Sequence, residues 1–322
     1  MRKASLVTVF VLLCAGAAFA APPEDRLPQA EPDGPFAIPP QSQVHLLGPD
    51  GTIVRGLRCA APVPTREEQE QVERELELSR AGLGVHAMAA PGAGAAIDIP
   101  VAFHVIYKTD RKGKQVGNVT DAMIDDQIGV LNAAYAGTGF SFTLASVDRF
   151  EQTKKQAWFD KCYQQDNAMK NALAISPATT LNIYTCAPSS GGGTLLGYAY
   201  LPNAFPESDP RHGVVLLYAS LPGGGADPYD EGDTATHEIG HYLGLYHTFQ
   251  NGCSTPGDSV DDTPYEASAA FGCPTGRDTC SQAGLDPITN FMDYTDDPCM
   301  DNFSTLQGGR MQSMVATYKP SL

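Results

Sequence analysis

The chain is poor in positive charge, carries a single tryptophan and, past its first twenty residues, has no long apolar run. Its 21 Lys and Arg stand against 37 Asp and Glu, a formal net charge of −16. Like charges repel at long range, which argues against nucleic acid or anionic membranes as partners. No stretch after Phe19 is long enough to cross a bilayer, so no stable membrane association is expected. A G-x-S-x-G nucleophile elbow is absent as well, which leaves serine-hydrolase chemistry without support. Internal repeats and low-complexity tracts are also missing.

What is present begins with an address label. Arg2 and Lys3 precede an apolar run from Ala4 to Phe19, and Ala18-Phe19-Ala20 has the small-x-small form of a signal-peptidase site. Residues 1–20 therefore read as a signal peptide and the product as secreted and extracellular. Cys14 raises a lipid-anchored alternative, but Leu13 stands where a small residue is required. Removal of Cys14 with the leader leaves Cys59, Cys162, Cys186, Cys253, Cys273, Cys280 and Cys299. In an oxidising compartment an odd number means one unpaired thiol or an intermolecular bond.

The organisation is uneven. Ala21 to Pro64 is rich in Pro, Gly and polar residues and has little periodicity. Thr65-Arg66-Glu67-Glu68 reads as a capped start for a short, highly charged helix through Arg80, and Ala81 to Ala96 is a Gly/Ala/Pro tether. Residues 21–95 thus form a small pro-segment and linker ahead of a compact unit spanning 96–322. That unit opens with the β-rich Ile97–Tyr107. A helix follows from Thr120 to Tyr135, then strands at Ser141–Val147, Thr180–Thr185 and Val214–Tyr218, with Gly197–Leu201 an edge strand. The fold class is α/β, followed by an irregular, cysteine-rich tail.

The chemistry is concentrated in residues 237–247, H-E-I-G-H-Y-L-G-L-Y-H, which hold three of the seven histidines. On a helix running from about Asp233 to Leu243, His237 and His241 project from one face, one turn apart. Gly244 lets the chain leave the helix with positive φ, and His247 can return as a third nitrogen ligand. Three imidazoles leave one tetrahedral position open, the mark of a catalytic zinc site. Glu238 lies beside the metal as general base for a zinc-activated water that attacks a peptide carbonyl. A different class, a secreted metal-stabilised binding protein without catalysis, predicts that Glu238→Gln loses nothing.

The extended H-E-x-x-H-x-x-G-x-x-H string resembles the metzincins, with Asn290-Phe291-Met292-Asp293-Tyr294 as their Met-turn. His247-Thr248-Phe249-Gln250 and Gly257 to Pro264 narrow the resemblance to the pappalysin family and its compact microbial members. The resemblance runs over roughly Ile99 to Met314. It implies a metzincin-type zincin catalytic domain: a twisted mixed sheet, an active-site helix and an irregular disulfide-bonded C-terminal subdomain. It also implies proteins or peptides as substrates, Met292 as a hydrophobic floor and Tyr294 reaching the metal or the reaction intermediate.

Further expectations rest on the same resemblance. It implies Cys253–Cys280 and Cys273–Cys299, one of three connectivities four cysteines allow, and leaves Cys162–Cys186 as a third pair. Asp258, Asp261 and Thr263 correspond to a calcium loop, to be weighed against a merely solvated acidic loop. Asp296 and Asp297 suggest a preference for Arg or Lys at the cleavage site. Cys59 is then left over in the pro-segment. A thiolate is a strong zinc ligand, so Cys59 is a candidate switch that silences a zymogen until cleavage near Arg80, unless it is simply a free thiol.

Overall fold

The computed structural model describes residues 42–47, 52–82 and 96–322. The leader, Cys14 and most of the linker lie outside the described residues. In chain order the elements are β1 (Gln43–Leu47), β2 (Ile53–Leu57), α1 (Arg66–Gly82), β3 (Ile97–Thr109), β4 (Gln115–Val116), α2 (Asp121–Ala134) and β5 (Phe140–Glu151). Then come α3 (Trp158–Lys161), α4 (Asp166–Leu173), β6 (Leu181–Cys186), β7 (Ser189–Ser190), β8 (Gly193–Leu195), β9 (Gly197–Ala199), β10 (Val214–Leu217), α5 (Asp233–Tyr242) and α6 (Thr305–Tyr318).

The main sheet runs β5-β3-β6-β10-β9, with short β4 on the far end of β3. All its pairings are parallel except β9 on β10 and β4 on β3. Helices on both sides cover it, so β6 and β10 are buried at every position instead of alternating. Ile183 and Leu216 face a core with Ile124 and Leu131 of α2 and Ile239 of α5. Tyr184 and Val215 face the other way, onto Trp158, Phe159 and Met169. The mixed α/β fold with an irregular tail is thus present, and three disulfides join Cys162 to Cys186, Cys253 to Cys280 and Cys273 to Cys299.

Beyond the short elements α3, α4, β4, β7 and β8, which the sequence reading does not name, two regions depart from it. The aperiodic stretch before Pro64 contains the antiparallel pair β1–β2, and β2 continues in parallel onto β8, making a second sheet β1-β2-β8-β7. These strands are short, and β8, the second partner of β2, lies far away in sequence. The tail is not irregular throughout: it ends in α6, started by a capping box between Ser304 and Gln307. Gly308 and Gly309 weaken its helical signal, but both lie on its buried side. Thr65 and Glu68 form the corresponding reciprocal cap on α1.

Candidate metal centre

Helix α5 is wholly buried and fixed at both ends. Asp297 Oδ2 accepts the backbone N–H groups of Glu231 and Asp233 at its start, at 3.0 and 3.3 Å. At its end Gly244, with φ +104°, lets its own N–H reach His241 O and that of Leu245 reach Gly240 O, both at 2.9 Å. A side chain at residue 244 would also collide with Met314. The turn therefore needs glycine for two reasons, backbone conformation and space. It carries His247 back toward the helix.

The three histidines converge. His241 Nε2 lies 3.2 Å from His237 Nε2 and 3.0 Å from His247 Nε2. His237 Nδ1 donates to Phe291 O at 2.7 Å and His241 Nδ1 to Leu245 O at 2.8 Å. A carbonyl only accepts, so those Nδ1 atoms carry the protons and the Nε2 lone pairs point inward. Lone pairs at this separation repel unless a cation sits among them, and a carbonyl behind the ring, as at His237 and His241, is the usual support of a metal-binding imidazole. Burial holds His237 and His247 well below the ordinary imidazole range and His241 at about 4. All three are neutral imidazoles at physiological pH. The donor set fits zinc.

A fourth donor is present. Cys59 Sγ joins the same cluster, with all four ligand atoms within 4.8 Å of one another. Its sulfur also lies 3.6 Å from Glu238 Oε2 and accepts the Ala61 N–H at 3.2 Å. Burial and the neighbouring Glu238 push the thiol up. Burial likewise pushes Glu238 up to about 8, against the opposing pull of the Cys59 hydrogen bond and the Arg58 charge. Glu238 Oε1 is buried without a protein partner.

The segment that brings Cys59 is held as an extra strand. Leu196 N donates to Leu57 O at 2.9 Å and Ala60 N to Gly197 O at 3.2 Å, along the edge of β8 and β9. Arg58, fully buried, sends NH1 to Thr234 Oγ1 at 3.2 Å and stacks over Tyr229 at 5.2 Å. Its charge lowers the carboxyls of Asp233 and Asp297, which burial nonetheless raises to about 7 and about 6.

Below the histidines, Met292 is fully buried against Gly240, where a Cβ would strike its sulfur. The Tyr294 ring lies 4.9 Å from His247 and 5.7 Å from His237, with its hydroxyl 3.5 Å from Ser42 Oγ. A buried cluster that sequence reading missed supports both segments. Asp293 Oδ1 accepts the N–H of Ala270 and Tyr294, Glu266 accepts Thr248 Oγ1, and Arg277 binds Glu266 and Asp286. Its four charged members are scattered over 28 residues of loop, so no spacing reveals them. Asp258, Asp261 and Thr263 line a separate cavity of about 70 Å³, where Thr263 Oγ1 donates to Asp258 Oδ2 at 2.8 Å.

Fold and site together define a metallopeptidase of the metzincin type. The family model described as pregnancy-associated plasma protein-A matches residues 165–316. An extracellular metalloprotease of Podospora anserina is 41% identical over 274 residues, covering 82% of this chain and 91% of that one. Extracellular metalloprotease 1 of Coccidioides posadasii is 42% identical over 228 residues, covering 70% and 79%. Among solved structures, a mutant of Tannerella forsythia promirolysin superposes with a TM-score of 0.65 at 27% identity, covering 81% of this chain and 94% of that one. Mature mirolysin with a cleaved peptide gives 0.56 at 29%, covering 69% and 91%. The chain belongs to the pappalysin family of zinc metallopeptidases.

Proposed function

We propose that this chain is a secreted endopeptidase made as a latent zymogen, with Glu238 as its general base and Cys59 as the group that keeps it silent. The observation that carries this reading is the meeting of Cys59 Sγ with three neutral imidazoles at one point. His237, His241 and His247 would hold zinc, which supplies Lewis acidity and makes a water acidic enough to attack near neutral pH. Glu238 takes the proton from that water and returns it to the leaving amine. The Tyr294 hydroxyl donates to the oxygen of the tetrahedral intermediate. Met292 keeps the underside dry.

Substrate takes the place of the pro-segment. The edge of β8 and β9 that bonds Leu57 and Ala60 accepts an extended peptide through its backbone. The buried carboxylates Asp233 and Asp297 feel the charge of the Arg58 guanidinium, which lies over Tyr229, and support a preference for Arg or Lys beside the cleaved bond. Asp258, Asp261 and Thr263 offer oxygens suited to structural calcium. Cleavage near Arg80 begins activation. The extracellular names of the relatives and the wider coverage of promirolysin than of the mature form favour export and latency.

The test is Glu238→Gln in fully processed protein. Loss of a general base costs about 10²–10⁴-fold in turnover while zinc stays bound. Unchanged hydrolysis would leave Glu238 without the role assigned to it. If neither protein hydrolyses any peptide, the metal-stabilised binding module is the better description.

A further inference from the structure

Helix α1 begins at Arg66, seven residues past Cys59, and its seat is elaborate for a spacer. Val72 and Leu76 bury themselves against Met314 and Tyr318 of α6. Glu73 Oε1 accepts Arg310 NH1 at 2.6 Å, and Glu75 Oε2 accepts Tyr318 OH at 2.7 Å. Gln69 is bonded by Asn251 at 2.6 Å, and Arg80 donates to Ser313 Oγ at 3.2 Å. Arg310, 5% exposed, also donates to Gly244 O at 3.1 Å and lies over Tyr246. Beside this seam is a cavity of about 360 Å³ whose walls include Glu73, Arg80, Ser259, Leu306 and Arg310.

Every one of these contacts falls at or before residue 80. The same is true of the β2–β8 pairing and of the bonds made by Leu57 to Ala60. We infer that the α6 face is a docking site for an acidic amphipathic helix, and that it keeps residues 42–82 seated as a non-covalent inhibitor after the linker has been cut. The inference rests on the latent-peptidase reading above. The helix it fits has apolar residues at i and i+4 and glutamates at i+1 and i+3, the pattern of Val72, Leu76, Glu73 and Glu75. Linker cleavage is then the first of two steps. The second must remove α1 from α6, by dissociation or by a cut upstream of it.

The test uses the full chain with a unique processing-protease sequence inserted between residues 83 and 95. After the cut, the fragment ending in the linker is expected to co-elute with residues 96–322 on size exclusion, and peptide hydrolysis is expected to stay within a few-fold of the uncut chain. Leu76→Glu in the same protein should release the fragment and raise hydrolysis at least tenfold. Glu73→Lys, at a half-buried position, should do the same without opening the apolar seam. A wild-type fragment that elutes alone, with full activity at once, overturns the inference. Complete digestion of the fragment separates the two levels. No activity then sinks the peptidase reading, whereas co-elution still decides the docking.

Discussion

The sulfur of Cys59 and Oε2 of Glu238 stand 3.6 Å apart, both sealed from solvent. The Cys59 side chain therefore reaches the histidine nitrogens and the adjacent carboxylate together. Cys59→Ala is expected to show early activity and faster self-processing of the precursor, at least tenfold above wild type in a peptide assay. Latency unchanged by the substitution would count against the switch.

Gly197 tests how closely the edge strand and the base are fitted. A Cβ there would stand 2.7 Å from Glu238 Cγ and 3.1 Å from Oε1. Gly197→Ala must displace the carboxylate. A shift of ~1 Å near the chemistry costs about 10²-fold. The expected outcome is a kcat loss of that order with an unchanged melting temperature. Wild-type kcat would show that Glu238 has room to spare.

Lys170 is fully buried and paired with Asp166 at 3.0 Å, while Tyr198 and Tyr200 donate to the same carboxylate at 2.9 and 3.1 Å. Tyr198 belongs to β9, whose neighbour Gly197 bears on Glu238. Lys170→Met leaves Asp166 buried without its cation, at a cost of up to about 3–5 kcal/mol that the two tyrosine hydrogen bonds reduce. The double change with Asp166→Asn should recover much of that. Urea unfolding measures both, and a single variant as stable as wild type contradicts the pairing.

His212 gives a stability dependence on pH. Burial, with Lys319 and Lys170 nearby, lowers it from 6.5 to about 4, against the weaker raising effects of Phe205 O and Asp209. The unfolded chain takes up this proton near 6.5 and the folded chain only near 4. The contribution is therefore complete above pH 6.5 and is lost as the pH falls toward 4, on the order of 3 kcal/mol in all. The gap in unfolding midpoint between pH 7 and pH 5 should narrow in His212→Gln. An identical gap would refute the assignment.

The zinc string was legible because helical geometry alone places His237 and His241 on one face and a glycine alone permits the return of His247. The disulfide partners were not legible from spacing and came only from the resemblance. Strands β1 and β2 escaped notice because they are short and lack a clear period, and the pairing of β2 with β8 is a tertiary property. Helix α6 was hidden by two glycines, although Ser304 and Gln307 spell a capping box. Arg58 stood next to Cys59 in plain sight, yet nothing local announces that it reaches Thr234 and lies over Tyr229. The cluster of Glu266, Arg277, Asp286 and Asp293 shows the same limit: loops bring charges together without a period to read.

The most direct test is metal analysis of the processed protein alongside its activity. One zinc per chain is expected, with peptide hydrolysis abolished by phenanthroline and restored by added zinc. Processed protein that holds no zinc, or that goes on cleaving peptides once stripped of it, would contradict the account at its root.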